Sequence, residues 1–294
     1  MKPINSILIN SIINEYGFTN EKLVDFFHYG KNNKVLLIGY KGESFLLKKH
    51  TMLKPHAVNT LEQLFDKFQT NKITTPMIKT KNDRFILSFD NNYYSMLKYI
   101  EVNKISTNNE LKKVAQKIAK MHRLMAMIDH KTLKSPLYVS PEKRIFLLNK
   151  YNLSFLISII TKNIIDSIHY QLVHNDLHIG NIISTSSNDI YIIDFDCFSY
   201  NSLISDITFA AFRFTGGFQT SFFDFIRYYD QVSPIRNEIQ YGYILLLKDF
   251  VKKLCFILKE YEIGNFSYYK KDYKKYLAFI RETIKMTEKG KLTF

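Results

Sequence analysis

One segment of the chain concentrates polar side chains able to act on a substrate: His174-Asn175-Asp176-Leu177-His178-Ile179-Gly180-Asn181. Thirteen residues after Asn181 stands Asp194, in the run Ile192-Ile193-Asp194-Phe195-Asp196. Phosphoryl transfer from ATP needs such a set: a carboxylate (Asp176), an amide five residues on (Asn181) and another carboxylate after a hairpin-length gap. One carboxylate orients and deprotonates an acceptor hydroxyl, while an amide oxygen and a second carboxylate hold magnesium on the phosphates. Magnesium takes hard oxygen ligands from few protein groups, so one Asn and one or two Asp suffice. Asp194 and Asp196 share strand parity. If Ile190–Asp196 stays extended, both project to one side, which makes Asp196 a second metal ligand or a substrate contact.

The segments HNDLHIGN and IIDFD resemble the catalytic loop and metal-binding motif of the aminoglycoside phosphotransferase and choline kinase superfamily, which has the protein-kinase-like fold. The kinase pattern HRDLxxxxN has its Asp-to-Asn spacing matched by Asp176 and Asn181, and the family's loop His and Gly are present as His178 and Gly180. The resemblance implies that Asp176 is the catalytic base, that Asn181 and Asp194 bind magnesium, and that His174 and Asp206 brace the loop. Asp206 lies in LISDITFAAF, which looks like the family's downstream DLA segment. His178 either touches the γ-phosphate region or shapes the loop. FLLKKH resembles the family strand whose Lys pairs the ATP phosphates, which puts that role on Lys48 with Glu62 as its helix partner. Lys49 competes for it, because strand alternation cannot choose between neighbours. The turn YGKNN resembles the family's phosphate loop through Gly30 and Asn33, and Met96–Ile100, with Leu97 and Tyr99, looks like the hinge that reads adenine. The family's helix His corresponds to His122, which sits on an apolar stripe and is expected in the core. The resemblance spans roughly residues 20 to 260 in order, a span that makes a chance motif match improbable. Among its branches, the Asp-x-Asp ending and the helical tail look closest to the homoserine-kinase-like, stress-response-kinase-like and spore-coat-kinase-like proteins.

The elements that must position these residues are legible from periodicity. Val24–Tyr29, Lys34–Tyr40, Ser44–Lys49, Arg84–Phe89 and Tyr93–Ile100 read as strands. Val58, Leu61, Leu64, Phe65 and Phe68 fall at helical spacing after Pro55, predicting a helix over His56–Gln69. From Glu110 the stripe Leu111, Val114, Ala115, Ile118, Ala119, His122 and Met125 predicts another. The stretch with Pro136 and Pro141 reads as loop, and Asn152–His169 reads as helix. Two short strands, Gln171–His174 and Ile190–Phe195, bracket the polar segment, and the last hundred residues return to helix, most clearly over Tyr241–Tyr261. The expected fold class is therefore α+β and bilobal: an antiparallel-sheet lobe at 1–97 with one main helix, a hinge at 98–102 and a mainly helical lobe at 103–294.

Composition narrows the function. At 294 residues, 46% hydrophobic and 23% charged, the chain has a globular make-up, and no apolar run approaches the roughly 18 residues of a membrane span. Asn and Ser interrupt the apolar N-terminus and no cleavage site follows, so no signal peptide is expected. Cys197 and Cys255 alone cannot build a disulfide framework or a zinc site, which points to the reducing cytosol. Cys197 is expected to be a small buried residue. The net charge of +14 invites a nucleic-acid reading, but only seven of the 41 basic residues are Arg, the side chain that phosphate forks and base readout favour. No specific nucleic-acid partner is expected. Tyr200–Phe294 carries fifteen basic and ten acidic residues, a local +5 that does not suit polycationic aminoglycosides. The reading is a phosphotransferase using ATP and magnesium, its acceptor a hydroxyl of a small metabolite such as an amino-alcohol, a sugar or a homoserine-like compound. A protein Ser/Thr kinase of the same fold and a pseudokinase that binds nucleotide or a partner protein are the alternatives.

Overall fold

The structure, a computed structural model, describes residues 6–18, 23–25, 34–101, 108–128, 133–161 and 168–288. Its first half runs α1 (Ser6–Glu15), β1 (Leu23–Asp25), β2 (Lys34–Tyr40), β3 (Glu43–His50), α2 (Val58–Thr70), β4 (Met77–Ile78), β5 (Ile86–Phe89), β6 (Asn92–Lys98) and α3 (Asn108–Met125). The second half runs α4 (Pro141–Lys150), α5 (Ile157–Thr161), β7 (Tyr170–Val173), β8 (Ile182–Ser184), β9 (Ile190–Ile192), β10 (Ser199–Ser202), α6 (Leu203–Thr215), α7 (Thr220–Asp230), α8 (Gly242–Glu262) and α9 (Phe266–Glu288). Among the described residues no helix is long and apolar enough to cross a membrane.

By spatial contact the chain forms two compact units, one of Met1–His130 with His178–Cys197, the other of Lys131–Leu177 with Phe198–Phe294. In the first unit β1, β2, β3 and β6 run side by side and antiparallel, with β4 and β5 both pairing β6. Strand alternation in β3 sends Phe45 and Leu47 to one face, where they join Ile9, Ile12 and Ile13 of α1 in a single core. Each of those isoleucines, fully buried, contributes about 1.5–3 kcal/mol. The sequence analysis does not anticipate α1, because Asn and Ser break its apolar run. The other face of β3 carries Leu46, Lys48 and His50.

The predicted helix after Pro55 is present as a 3-10 turn at Pro55–Ala57 followed by α2, and α3 buries the predicted stripe from Val114 to Met125, His122 included, with Leu111 half-buried. Of the predicted strand Val24–Tyr29, only β1 falls among the described residues, and the turn holding Gly30 and Asn33 lies outside them. Strand β5 starts at Ile86 rather than Arg84, because the backbone N–H groups of Phe85 and Ile86 donate to the Glu62 carboxylate.

In the second unit β7 pairs antiparallel with β10, and helices supply most of the core. Helix α6 is buried continuously from Leu203 to Phe212. Ser202 caps it through the N–H of Ser205, and Gly216, at φ +73°, ends it in the left-handed conformation that glycine adopts without strain. Its Phe209 and Phe212 rings meet Phe250 of α8, which meets Tyr276 and Phe279 of α9. Two expectations are corrected here. The stretch read as loop around Pro141 is helical from Pro141 to Lys150: Ser140 caps the N–H of Lys143 and Pro141 takes the first helical position, where its missing N–H costs nothing. The helix expected over Asn152–His169 is described only as a 3-10 turn at Ser154–Leu156 and α5, and residues 162–167 lie outside the described set. Ile168 and His169 are not helical, and the His169 backbone is spent elsewhere: its N–H donates to Glu238 and its carbonyl accepts from Leu203.

Tyr16, at the end of α1, is buried and donates its hydroxyl to the Tyr94 carbonyl at 2.8 Å, tying the helix to β6. Replacing it with Phe keeps the packing and orphans that acceptor. Tyr16→Phe should lower the unfolding free energy by about 1 kcal/mol, read from urea denaturation midpoints at unchanged slope; an unaltered midpoint would remove Tyr16 from the account of how α1 is held.

Candidate active site

In the sheet-bearing unit the chemistry gathers on β3 and on the turn after β9. Lys48 Nζ donates to Asp194 Oδ1 and to Asp196 Oδ1, each at 2.7 Å. Two residues along the same strand face, His50 Nδ1 meets the same Asp196 oxygen at 2.6 Å, and His50 Nε2 lies 2.9 Å from the Ser95 hydroxyl. Burial alone would push the Lys48 ammonium down; the two carboxylates outweigh it and hold the group above its ordinary value. Burial would likewise raise Asp196, yet His50 and Lys48 keep its carboxyl well below the usual range. Asp196 Oδ2 is buried and has no hydrogen-bond partner among the described residues. Lys49 points to the opposite face, its ammonium 6.0 Å from the Tyr94 ring centre.

The extended run expected to aim Asp194 and Asp196 together ends early. Strand β9 stops at Ile192, Asp194 sits at φ +65°, and Phe195–Cys197 form a 3-10 turn. Both carboxylates still reach Lys48, but through a turn rather than by strand parity. The turn is pinned by Phe195, buried between the Phe65 and Phe68 rings of α2, and by the N–H of Ile192 donating to the Ile73 carbonyl. Cys197 beside it is buried, as a small residue there should be. Glu62 is not brought to Lys48: the Phe85 and Ile86 amides take its oxygens, and Arg84 Nε lies 3.2 Å from Oε1. A carboxylate so occupied has little left to offer a lysine.

Asn181 is buried, and its backbone carbonyl accepts from the N–H of Ile193 at 3.0 Å, which sets it beside the residue preceding Asp194. His178 caps its own turn, Nδ1 accepting from the N–H of Gly180 at 3.0 Å. A Cβ on residue 180 would come within 2.9 Å of that ring, so glycine leaves the histidine its place. The donor set suits magnesium: an amide oxygen and a carboxylate whose side chain is 35% exposed. Among the described residues there is no group of three or more His, Cys, Asp or Glu that could hold a metal. Of the residues expected at an adenine-reading hinge, Leu97 pairs with Leu46 and Met77 in the sheet, and Tyr99 is exposed while its N–H donates to the Ser44 carbonyl. The expected hinge continues into residues outside the described set.

In the helical unit the turn after β7 is held by a buried carboxylate. Asp206, in the first turn of α6, accepts the backbone N–H of His174 at 3.1 Å and that of Asn175 at 2.9 Å. Asn175 is at φ +64°, and its side chain donates to Ser199 Oγ at 2.7 Å and accepts from Asn201 at 2.8 Å. The N–H of Asp176 donates to His174 Nδ1 at 3.3 Å, which leaves the Asp176 carboxylate, 30% exposed, facing Lys253. Lys253 Nζ lies 3.3 Å from Asp176 Oδ1 and 3.0 Å from the Asn175 carbonyl. His174 and Asp206 thus brace the turn, Asp206 directly and His174 through the Asp176 amide. Sequence reasoning missed His50, Asn175 and Lys253. His50 carries a usable signal, two residues beyond Lys48 on one strand face, whereas Lys253 lies on another helix 77 residues from Asp176 and has none.

With this geometry described, the chain can be compared with known proteins. The family model of the phosphotransferase enzyme family matches residues 33–231. No curated protein sequence matches. Among solved structures, a spectinomycin phosphotransferase in complex with ADP and spectinomycin superposes with a TM-score of 0.67 at 16% identity, over 96% of this chain and 99% of the other. A choline kinase from Cryptosporidium parvum gives 0.65 at 12% identity over 98% of both chains, and a microcompartment-associated aminopropanol kinase 0.64 at 14% over 97% of both. The likeness establishes the expected protein-kinase-like fold over nearly the whole chain.

Asp196→Asn keeps the shape of the buried cluster and deprives Lys48 and His50 of their shared anion. At pH 7 the variant should be less stable by about 3–5 kcal/mol, the cost of breaking a buried pair. A carboxyl held below its ordinary value of 3.8 contributes stability above that pH and loses it as pH falls further. The gap between wild type and variant, measured by denaturant unfolding from pH 7 to pH 3, should therefore be constant at the upper end and shrink below 3.8. A gap that widens in acid would contradict the assignment.

Proposed function

The chain belongs to the phosphotransferase enzyme family, and from that premise we propose that it moves the γ-phosphoryl group of ATP to a hydroxyl of a small metabolite, with Asp176 as the general base. The observation that carries the reading is the way Asp176 is presented: its backbone is fixed by the Asp206-braced turn and its carboxylate is left partly exposed beside the Lys253 ammonium. Lys253 Nζ, 3.3 Å from Oδ1, gives that carboxylate a positive partner. In the transfer, the acceptor O–H gives its proton to Asp176, its oxygen bonds to the γ-phosphorus, and the bond from that phosphorus to the β–γ bridging oxygen breaks, releasing ADP.

Lys48 is the residue we assign to the nucleotide phosphates. Its ammonium is placed by two carboxylates and stays charged at any physiological pH. Asn181 and Asp194 are the residues that would hold magnesium, which when bound neutralises charge on the phosphates. Asp196, buried, serves to fix Lys48 and His50 in this reading. Most of the acceleration in such a site comes from positioning and charge neutralisation, which rigid, hydrogen-bonded supports supply. The acceptors named for similar structures, choline, aminopropanol and spectinomycin, share an alcohol. That common group sets the acceptor class we assign, an alcohol on an amino-alcohol, sugar or homoserine-like scaffold.

Asp176→Ala and Asp194→Ala should both fold, by circular dichroism, yet lose ATP-dependent phosphorylation, Asp176→Ala by at least ~10² to 10⁴, the usual contribution of a general base. Either variant turning over at the wild-type rate would remove its residue from the mechanism. Lys48→Ala should raise the KM for ATP more than Lys49→Ala does, measured on the same acceptor pool; the reverse order would move the assignment by one residue.

A further inference from the structure

Around Asp176 the helical unit assembles more positive charge than holding one carboxylate requires. Lys253 of α8 lies with Nζ 4.0 Å from the centre of the Phe209 ring, and the guanidinium carbon of Arg213, one turn on in α6, lies 5.5 Å from the same ring. Arg213 Nη1 is 3.5 Å from the hydroxyl of Tyr276, and the residue before that tyrosine is Lys275, half-buried on α9. Burial, and then the nearby charges of Arg213 and Lys253, hold the Lys275 ammonium below its ordinary value, against the pull of Asp272 and Asp176. Three cations from three helices thus share a partly desolvated space with two carboxylates. Among the described residues neither Arg213 nor Lys275 has a carboxylate within ion-pair distance, and their polar and aromatic contacts are with Tyr276, Phe209 and Phe279. Like charges gathered away from water repel unless an anion joins them.

We propose that Arg213, Lys253 and Lys275 form the anion-recognising part of the acceptor site, so that the alcohol phosphorylated carries a carboxylate or a phosphate. The inference rests on Asp176 being the base, since it is proximity to that carboxylate that makes the cluster part of an acceptor site. Lys253 has a double position, reaching the base and sharing the Phe209 ring with Arg213, whereas Arg213 and Lys275 act on the acceptor alone. A cationic acceptor would meet net positive charge here and be disfavoured, which narrows the assigned class to its anion-bearing members and sets simple amino-alcohols aside.

The test uses four three-carbon alcohols that differ chiefly in charge: glycerol, D-glycerate, glycerol 3-phosphate and 3-amino-1,2-propanediol. Their binding to the full chain is measured by calorimetry at constant ionic strength, with the nucleotide site saturated by a non-hydrolysable ATP analogue. At least one of the two anions should bind about tenfold or more tighter than glycerol, the effect of one good ion pair, and the amine should bind weakest. Arg213→Gln and Lys275→Gln should each erase most of that preference at an unchanged melting temperature, and Arg213→Lys should retain it. Should either glutamine variant fail to fold, the four-alcohol ranking in wild type decides alone. Glycerol or the amine binding as tightly as both anions would overturn the proposal, as would anion binding that vanishes when the ATP analogue is present. Preference for glycerate over the phosphate, or the reverse, identifies which anion the site accepts. Anion binding without ATP-dependent phosphorylation of any alcohol would uphold the anion site and count against Asp176 as base. Phosphorylation of the neutral or cationic alcohol at the lowest KM would do the opposite.

Discussion

A lysine ammonium buried on a central strand must be paired, and much of the sheet-bearing unit is arranged around that requirement. Lys48 is only 12% exposed, so an unpaired charge there would cost several kcal/mol. Two carboxylates from one turn meet it, and the turn can present both because Asp194 accepts a left-handed backbone that few residues other than Asn, Asp and Gly adopt readily. Phe195, between the two acids, is the wedge that fixes the turn against α2. His50 completes the cluster from the same face of β3. With Asp196 ionised, the His50 Nδ1 must donate to it, and Nε2 pairs with the Ser95 hydroxyl.

The helical unit solves a related problem with backbone rather than side-chain donors. A turn that displays a reactive carboxylate leaves amides unpaired, and Asp206 takes two of them into one buried carboxylate. Charge-assisted bonds of this kind are stronger than neutral ones, which suits a turn that has to hold its shape while its side chain reacts. Asn175 adds a second anchor to β10 through Ser199 and Asn201. The display of Asp176 therefore depends on residues whose own side chains take no part in the chemistry.

What could be read in the sequence was local spacing. The segment from His174 to Asn181, the acids at 194 and 196, the α2 and α3 stripes and most of the strands are patterns within a few residues, and such patterns survive folding unchanged. The choice between Lys48 and Lys49 was not legible, because alternation fixes relative faces and only the partner fixes which face matters. Glu62 was legible as a helix-edge acid but not as the cap of the β5 amides, which depends on where α2 lies over the sheet. Parity of Asp194 and Asp196 put both carboxylates on one side as metal ligands or a substrate contact; the strand ends before either, and it is a turn that brings both to Lys48. Helices α1 and α4 were obscured because polar interruptions and prolines were read as breaks, although Pro141 opens a helix and the Asn and Ser of α1 leave its buried isoleucines in register. Lys253, Arg213 and Lys275 converge from three helices, and no pattern along the chain announces a meeting of that kind.

The partners of Lys48 lie 146 and 148 residues further along the chain. During synthesis at about 5–20 residues per second, strands β2, β3 and β6 emerge on the order of 10 s before Asp194 and Asp196 do. In that interval the sheet can form its hydrogen bonds and bury α1, but its central lysine has no anion and must keep one edge of the strand wet. The sheet's central charge is thus balanced only once the acidic turn after β9 has been made.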